Sequence, residues 1–86
     1  MRTFEVGKWY VSTVVDESDH YEYGCVHDVN VRILDRSENY LTCQDEYGET
    51  HRRKIQTMVG QNGEQTEYFV IRVLDNARFY ATHISP

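Results

Sequence analysis

Polar and apolar residues alternate with a period of two along much of this chain. The clearest case is Cys25–Asp35, where Val29, Val31 and Ile33 alternate with Asn30 and Arg32. That period puts successive side chains on opposite faces of a strand and buries one of them. The same pattern predicts strands over Lys8–Thr13, Asn39–Asp45, Glu49–Ile55, Glu67–Leu74 and Arg78–Ile84. No window carries apolar residues at i, i+3, i+4 and i+7, so no helix is predicted. Polar joints separate the strands. Val14–Gly24 reads as an acidic loop, Arg36-Ser37-Glu38 as a turn and Gln56–Thr66 as a loop with two glycines. Asp45-Glu46-Tyr47-Gly48 reads as a type I turn with glycine in the left-handed position.

Short strands joined by turns every eight to twelve residues imply an all-β sandwich or barrel. The expected fold is a small SH3-like barrel or a curled antiparallel meander of five or six strands. Composition agrees: Val, Ile, Thr and the aromatics far outnumber Leu, Ala and Met, and such side chains suit a pleated, half-buried surface. The 86 residues make one domain, 1–86. A chain this short buries only about 60–65 % of its unfolded surface, so the core is thin and the working surface is a groove or a face. Trp9, sharing a face with Val11, is expected inside it, with Phe4 and Tyr10 also in the core.

The net charge of −5 opposes general attraction to nucleic acid, which depends on Lys and Arg neutralising phosphates. No run reaches the ~20 apolar residues of a membrane helix, and the opening residues have no signal-peptide core. The expectation is a cytoplasmic protein with no membrane contact and two free thiols. A hairpin centred on Ser37 sets Cys43 opposite Val31, with Cys25 about six residues beyond. That is ~20 Å at strand rise, too far for a disulfide. Cys43 then reads as a small core residue.

The opening Phe4-Glu5-Val6-Gly7-Lys8-Trp9-Tyr10 resembles the F-x-V-G-K-x-Y start of a family of small β-barrel proteins on mobile elements of gut bacteria. The step Val31-Arg32-Ile33-Leu34-Asp35-Arg36-Ser37 is similar to that family's Val-x-x-R-[ST]. Tyr40 through Ile55 resembles its hairpin with a basic second strand. The family's glutamate and closing strand fall at Glu67 and at Arg78-Phe79-Tyr80-Ala81. The chain departs from the pattern in its acidic Asp16–Glu22 loop and its Tyr68–Leu74 strand. The resemblance implies a small barrel, no defined reaction, and an accessory role on a mobile element, including inhibition of a bacterial immune nuclease.

No catalytic signature stands out. Cys25-Val26-His27 puts two ligand types on one strand face, but lacks a second pair at zinc-like spacing. His20, His51 and His83 fall in different elements. Nothing in the sequence supplies an oxyanion hole, a phosphate loop or a calcium loop. The expectation is no enzyme, no metal and no cofactor.

Two surface features remain. Asp16, Glu17, Asp19 and Glu22, with Tyr21 and Tyr23, make a loop suited to docking on a basic protein, since Tyr is a preferred interface residue. Arg52, Arg53 and Lys54 make a basic strand, with Arg52 and Lys54 on one face and Arg53 on the other. Tyr47, Tyr40 and Tyr68 are placed near it, and cations beside aromatics bind single-stranded nucleic acid. The plain alternative has these cations paired with Asp45, Glu46 and Glu49. A protein-binding module acting through the acidic loop is the first expectation, and a nucleic-acid-binding barrel is the second. Phe69-Val70-Ile71, as an exposed apolar strand, leaves a homodimer open.

Overall fold

The computed structural model describes residues 1–16 and 25–86. Seven strands run in chain order: β1 Trp9–Asp16, β2 Cys25–Arg36, β3 Tyr40–Asp45, β4 Thr50–Lys54, β5 Gln56–Val59, β6 Gln65–Ile71 and β7 Ala77–Tyr80. A 3-10 turn at Arg72–Leu74 precedes β7. The strands form two antiparallel meanders, β1-β2-β3-β4 and β5-β6-β7. The domain is therefore all-β, as the alternation implies, and the curled meander describes it better than a closed barrel.

The extra strand comes from a bend. Only Ile55 separates β4 from β5, so one stretch of chain passes from the first sheet to the second without a loop. Ile55 is buried at the bend, and its N–H donates to the Asn39 carbonyl at 2.7 Å. The sequence places a loop over Gln56–Thr66 because Gln56–Val59 buries none of its side chains. A strand with no buried face carries no burial period for sequence to reveal.

The other seam is held by the chain ends. The Val11 N–H donates to the His83 carbonyl at 2.9 Å and the Ser85 N–H to the Trp9 carbonyl at 3.0 Å. On the second sheet, Arg2 bonds beside β6, donating to the Gln65 carbonyl and accepting from the Glu67 N–H.

Register decides which face is buried. Tyr10 lies opposite Val31 and Trp9 opposite Arg32. Directly opposed residues share a face, so the apolar row of β2 draws Tyr10 inward and turns Trp9 out. Tyr10 is 1 % exposed and Trp9 is 43 % exposed, reversing the expectation for Trp9. The Tyr10 hydroxyl accepts the Glu5 N–H at 2.9 Å, and its ring meets Phe4 edge-on at 4.8 Å. Phe4 continues to Phe69 at 5.0 Å, and Phe69 stacks on Phe79 at 5.1 Å. This chain of rings runs from β1 to β7 and fills the space between the sheets.

Between β2 and β3 the expected pairing slips. Cys43 faces Ile33, not Val31, and a bulge at Leu34 shifts the register by one residue. Leu34 is pushed outward, 40 % exposed. Cys43 is fully buried, as its place on the strand implies. Gly48 takes a φ of 89° in the β3–β4 turn, as predicted. The Phe69-Val70-Ile71 segment is no free apolar strand. It lies in the central strand of its sheet, with Phe69 and Ile71 fully buried.

One polar cluster ties the sheets together. Arg36, at the end of β2, forks onto Glu67 of β6 through two bonds of 2.7 and 3.0 Å. The same guanidinium donates to the Phe4 carbonyl at 2.9 Å, and Glu67 accepts the Phe4 N–H at 2.8 Å. Glu67 is 5 % exposed, so its charge depends on this pairing. Arg36→Met and Glu67→Gln are each expected to cost about 3 kcal/mol, the loss typical of breaking a buried ion pair. Urea unfolding of both variants and of Arg36→Met/Glu67→Gln checks this. The double variant should lose less than the sum of the singles, and a sum met within about 0.5 kcal/mol would show no coupling.

Candidate functional site

The acidic feature falls largely outside the described residues. Glu17, Asp19, Tyr21, Glu22 and Tyr23 belong to residues 17–24, and Asp16 is placed only as the last backbone position of β1. That segment joins β1 to the Cys25 end of the 12-residue β2. Arg36, at the opposite end of β2, pairs with Leu41.

The basic strand is placed in full. On β4, Arg52 and Lys54 are exposed on the outer face, opposite Thr42 and Tyr40 of β3. Arg53 has the inward phase of His51 and Ile55 but is only half-buried, because it reaches the open end beside the bend. Its Nη1 donates to the Arg52 carbonyl at 2.7 Å.

The predicted pairing of these cations with nearby carboxylates does not occur. Asp45 is buried and engaged elsewhere: Oδ1 accepts the Tyr47 and Glu49 N–H groups, and Oδ2 meets His51 Nε2 at 2.8 Å. Glu46 accepts from the Asn30 amide. Among the described residues, carboxylates hold Arg2, Lys8 and Arg36 through Glu64, Glu5 and Glu67. Arg32, Arg52, Arg53, Lys54, Arg72 and Arg78 form no ion pair among the described residues.

Most of those unpaired cations line one surface. Following the bent strand, Lys54 leads to Gln56, which faces Tyr68 of β6, and Tyr68 faces Tyr80 of β7. Arg78 lies opposite Val70 on the same outer face. Two guanidinium groups lie over tyrosine rings, Arg52 over Tyr40 at 4.8 Å and Arg78 over Tyr68 at 5.3 Å. Tyr68 and Tyr80 are 6.0 Å apart, and His83 meets Tyr80 edge-on at 5.2 Å. Tyr47 sits exposed in the β3–β4 turn and meets neither guanidinium. The rings that join the basic strand are Tyr40 and Tyr68, with Tyr80 beyond them. Tyr80 and Arg78 were missed as site residues because the bend that carries the chain from β4 into the β5-β6-β7 sheet lies in a stretch with no burial pattern.

A second constellation was also missed. Cys43 and His51 face each other across the β3–β4 ladder, and His51 is bound to Asp45. Cysteine, histidine and aspartate together suggest nucleophilic chemistry, but the environment opposes it. Burial pushes the Cys43 thiol up to about 12, so essentially no thiolate forms at neutral pH. The cluster is a buried clamp on the hairpin, in which one carboxylate closes the turn and holds the strand that follows.

Comparison of the chain with protein-family models, curated proteins and solved structures finds no match. Among the described residues, no helix is long and apolar enough to cross a membrane.

The clamp predicts a pH dependence. Burial pushes the Asp45 carboxyl up, but hydrogen bonds from His51, Glu49 and Tyr47 outweigh it and hold it below the usual carboxylate range. A depressed folded value stabilises the protein above the unfolded value of about 3.9 and loses that contribution as pH falls through the folded value. The stability gap between the protein and Asp45→Asn should shrink as pH falls below about 4. Thermal unfolding across that range tests it, and a gap unchanged down to acid would refute it.

Proposed function

We propose that this protein is a small, non-enzymatic binding module for single-stranded nucleic acid. The observation that carries this reading is a surface on which cations with no ion pair among the described residues lie among tyrosine rings. Arg52, Arg53, Lys54, Arg72 and Arg78 supply charge for phosphates. Tyr40, Tyr68 and Tyr80 supply faces for bases, each stack contributing about 1–3 kcal/mol without regard to sequence. Arginine held over a ring is oriented in advance, so less rotamer entropy is lost on binding. The net charge of −5 weakens the long-range attraction but does not cancel a local patch whose cations have no ion pair among the described residues.

The check is fluorescence anisotropy with labelled oligothymidine across a salt series. With about four phosphates contacted, log affinity should fall against log salt with a slope of about −3. Tyr68→Ala should weaken binding roughly 5- to 100-fold. A flat salt response, or no binding at low salt, would remove the proposal.

One observation favours a second reading, a protein partner at the acidic end. Val15 and Val26 face each other across β1 and β2, 53 % and 64 % exposed, at the base of the segment carrying Asp16, Glu17, Asp19, Tyr21, Glu22 and Tyr23. Two exposed valines, joined in sequence to a segment rich in tyrosine and carboxylates, suit a basic protein surface, such as that of a nuclease. Asp19→Ala/Tyr21→Ala should then release a partner that survives nuclease treatment of a bacterial lysate. Equal capture by the variant would end this reading.

A further inference from the structure

The basic surface is hollow at the bend. Arg53, Lys54, Gln56, Val70 and Arg72 line a groove of about 480 Å³. Three of the five are cations, one is an amide and one is a valine. Among the described residues no carboxylate lines it. Gln56 Oε1 accepts the Tyr68 hydroxyl at 3.1 Å, so what Gln56 still offers is its two amide N–H donors. Arg53 is steadied by the Arg52 carbonyl, and Arg72 begins the 3-10 turn whose closing N–H groups, from Asp75 and Asn76, bond its carbonyl. The groove therefore presents positive charge and donors, with no charged acceptor among the described residues.

Such a lining selects an anion, and its chemistry favours phosphate. Guanidinium forks match phosphate oxygens in pairs, while lysine adds a mobile point charge. The size argues against a single ion. The groove lies within the range of about 300–1,000 Å³ typical of ligand sites, and one phosphate would leave most of it to water. Its three cations balance a run of singly charged phosphodiesters.

We infer that this groove is the phosphate track of the single-strand site: it holds adjacent phosphodiesters of the backbone, while Tyr68, joined to its rim through Gln56, takes a base. The inference rests on the nucleic-acid reading above and divides that surface into two parts with separable chemistry. Backbone is held at the bend, and bases are held on β6 and β7. Sequence preference is then weak, since the track reads no base edge.

Three probes separate the parts: labelled oligothymidine, an abasic strand of equal length, and tripolyphosphate measured by calorimetry. The abasic strand should bind more weakly than oligothymidine. It should lose about tenfold or more in Arg53→Gln/Arg72→Gln, yet change less than about twofold in Tyr68→Ala. Arg72→Gln alone, an exposed change that leaves the core untouched, should give a smaller loss of the same kind. Thermal unfolding confirms that each variant is folded. If oligothymidine binds but the abasic strand is indifferent to both arginine changes, the track is wrong and the single-strand reading survives. If tripolyphosphate binds through the two arginines and oligothymidine does not bind, the groove is a phosphate site and the single-strand reading falls. If nothing binds, both are overturned.

Discussion

The ion pair between Arg36 and Glu67 is the constraint on which the two-sheet arrangement depends. The sheets share no continuous ladder, only the bend at Ile55 and a few main-chain bonds from the chain ends, so side chains supply much of what holds them together. Arg36 ends β2 of the first sheet, and Glu67 lies in β6 of the second. Phe4 is bonded by both partners through its own peptide groups. A bidentate arginine fixes distance and angle together, which a purely apolar contact does not. The pair thus places Phe4, and Phe4 is the ring through which Tyr10 meets Phe69. The apolar core and the polar staple are one assembly.

That assembly explains why the outer faces are available for binding. The inward faces are filled by rings and branched aliphatics, and carboxylates neutralise cations at the sheet junction and the chain ends. What remains outside is a row of arginines and a lysine without ion-pair partners among the described residues, set among tyrosines. A protein of acidic composition can therefore carry a basic face. Its acidic surplus includes the segment beyond Asp16, which leaves from the end of β2 opposite Arg36.

Much of the fold was legible in alternation. β2 and β3 could be drawn from Val29, Val31, Ile33, Leu41 and Cys43 alone, and the Gly48 turn from four residues. The failures share a cause. Trp9 and Tyr10 are both large and aromatic, so their order inside and out is set by the partner strand and not by their own sequence. The bulge at Leu34 is a pairing event, invisible to a pattern read along one strand. β5 was missed because it is a wholly exposed strand. The basic strand was found, but its neighbours were not, since Arg72 meets it only across the bend and Arg78 and Tyr80 lie on the sheet beyond. Phe4, Arg36 and Glu67 lie far apart in the sequence, and nothing in their spacing indicated that they touch.

The bend at Ile55 sets how this surface responds to a ligand. A strand that changes sheets without a loop has no slack to take up. Arg52, Lys54, Gln56 and Met58 alternate along one backbone, and the residue between its halves is packed into the core. Adjustment at the surface would then take the form of a small change in the angle between the sheets, since this strand has no slack with which to move by itself. Stiffness beneath Ile55 becomes a property of binding, and a cavity made under the bend would loosen the grip of side chains it never touches.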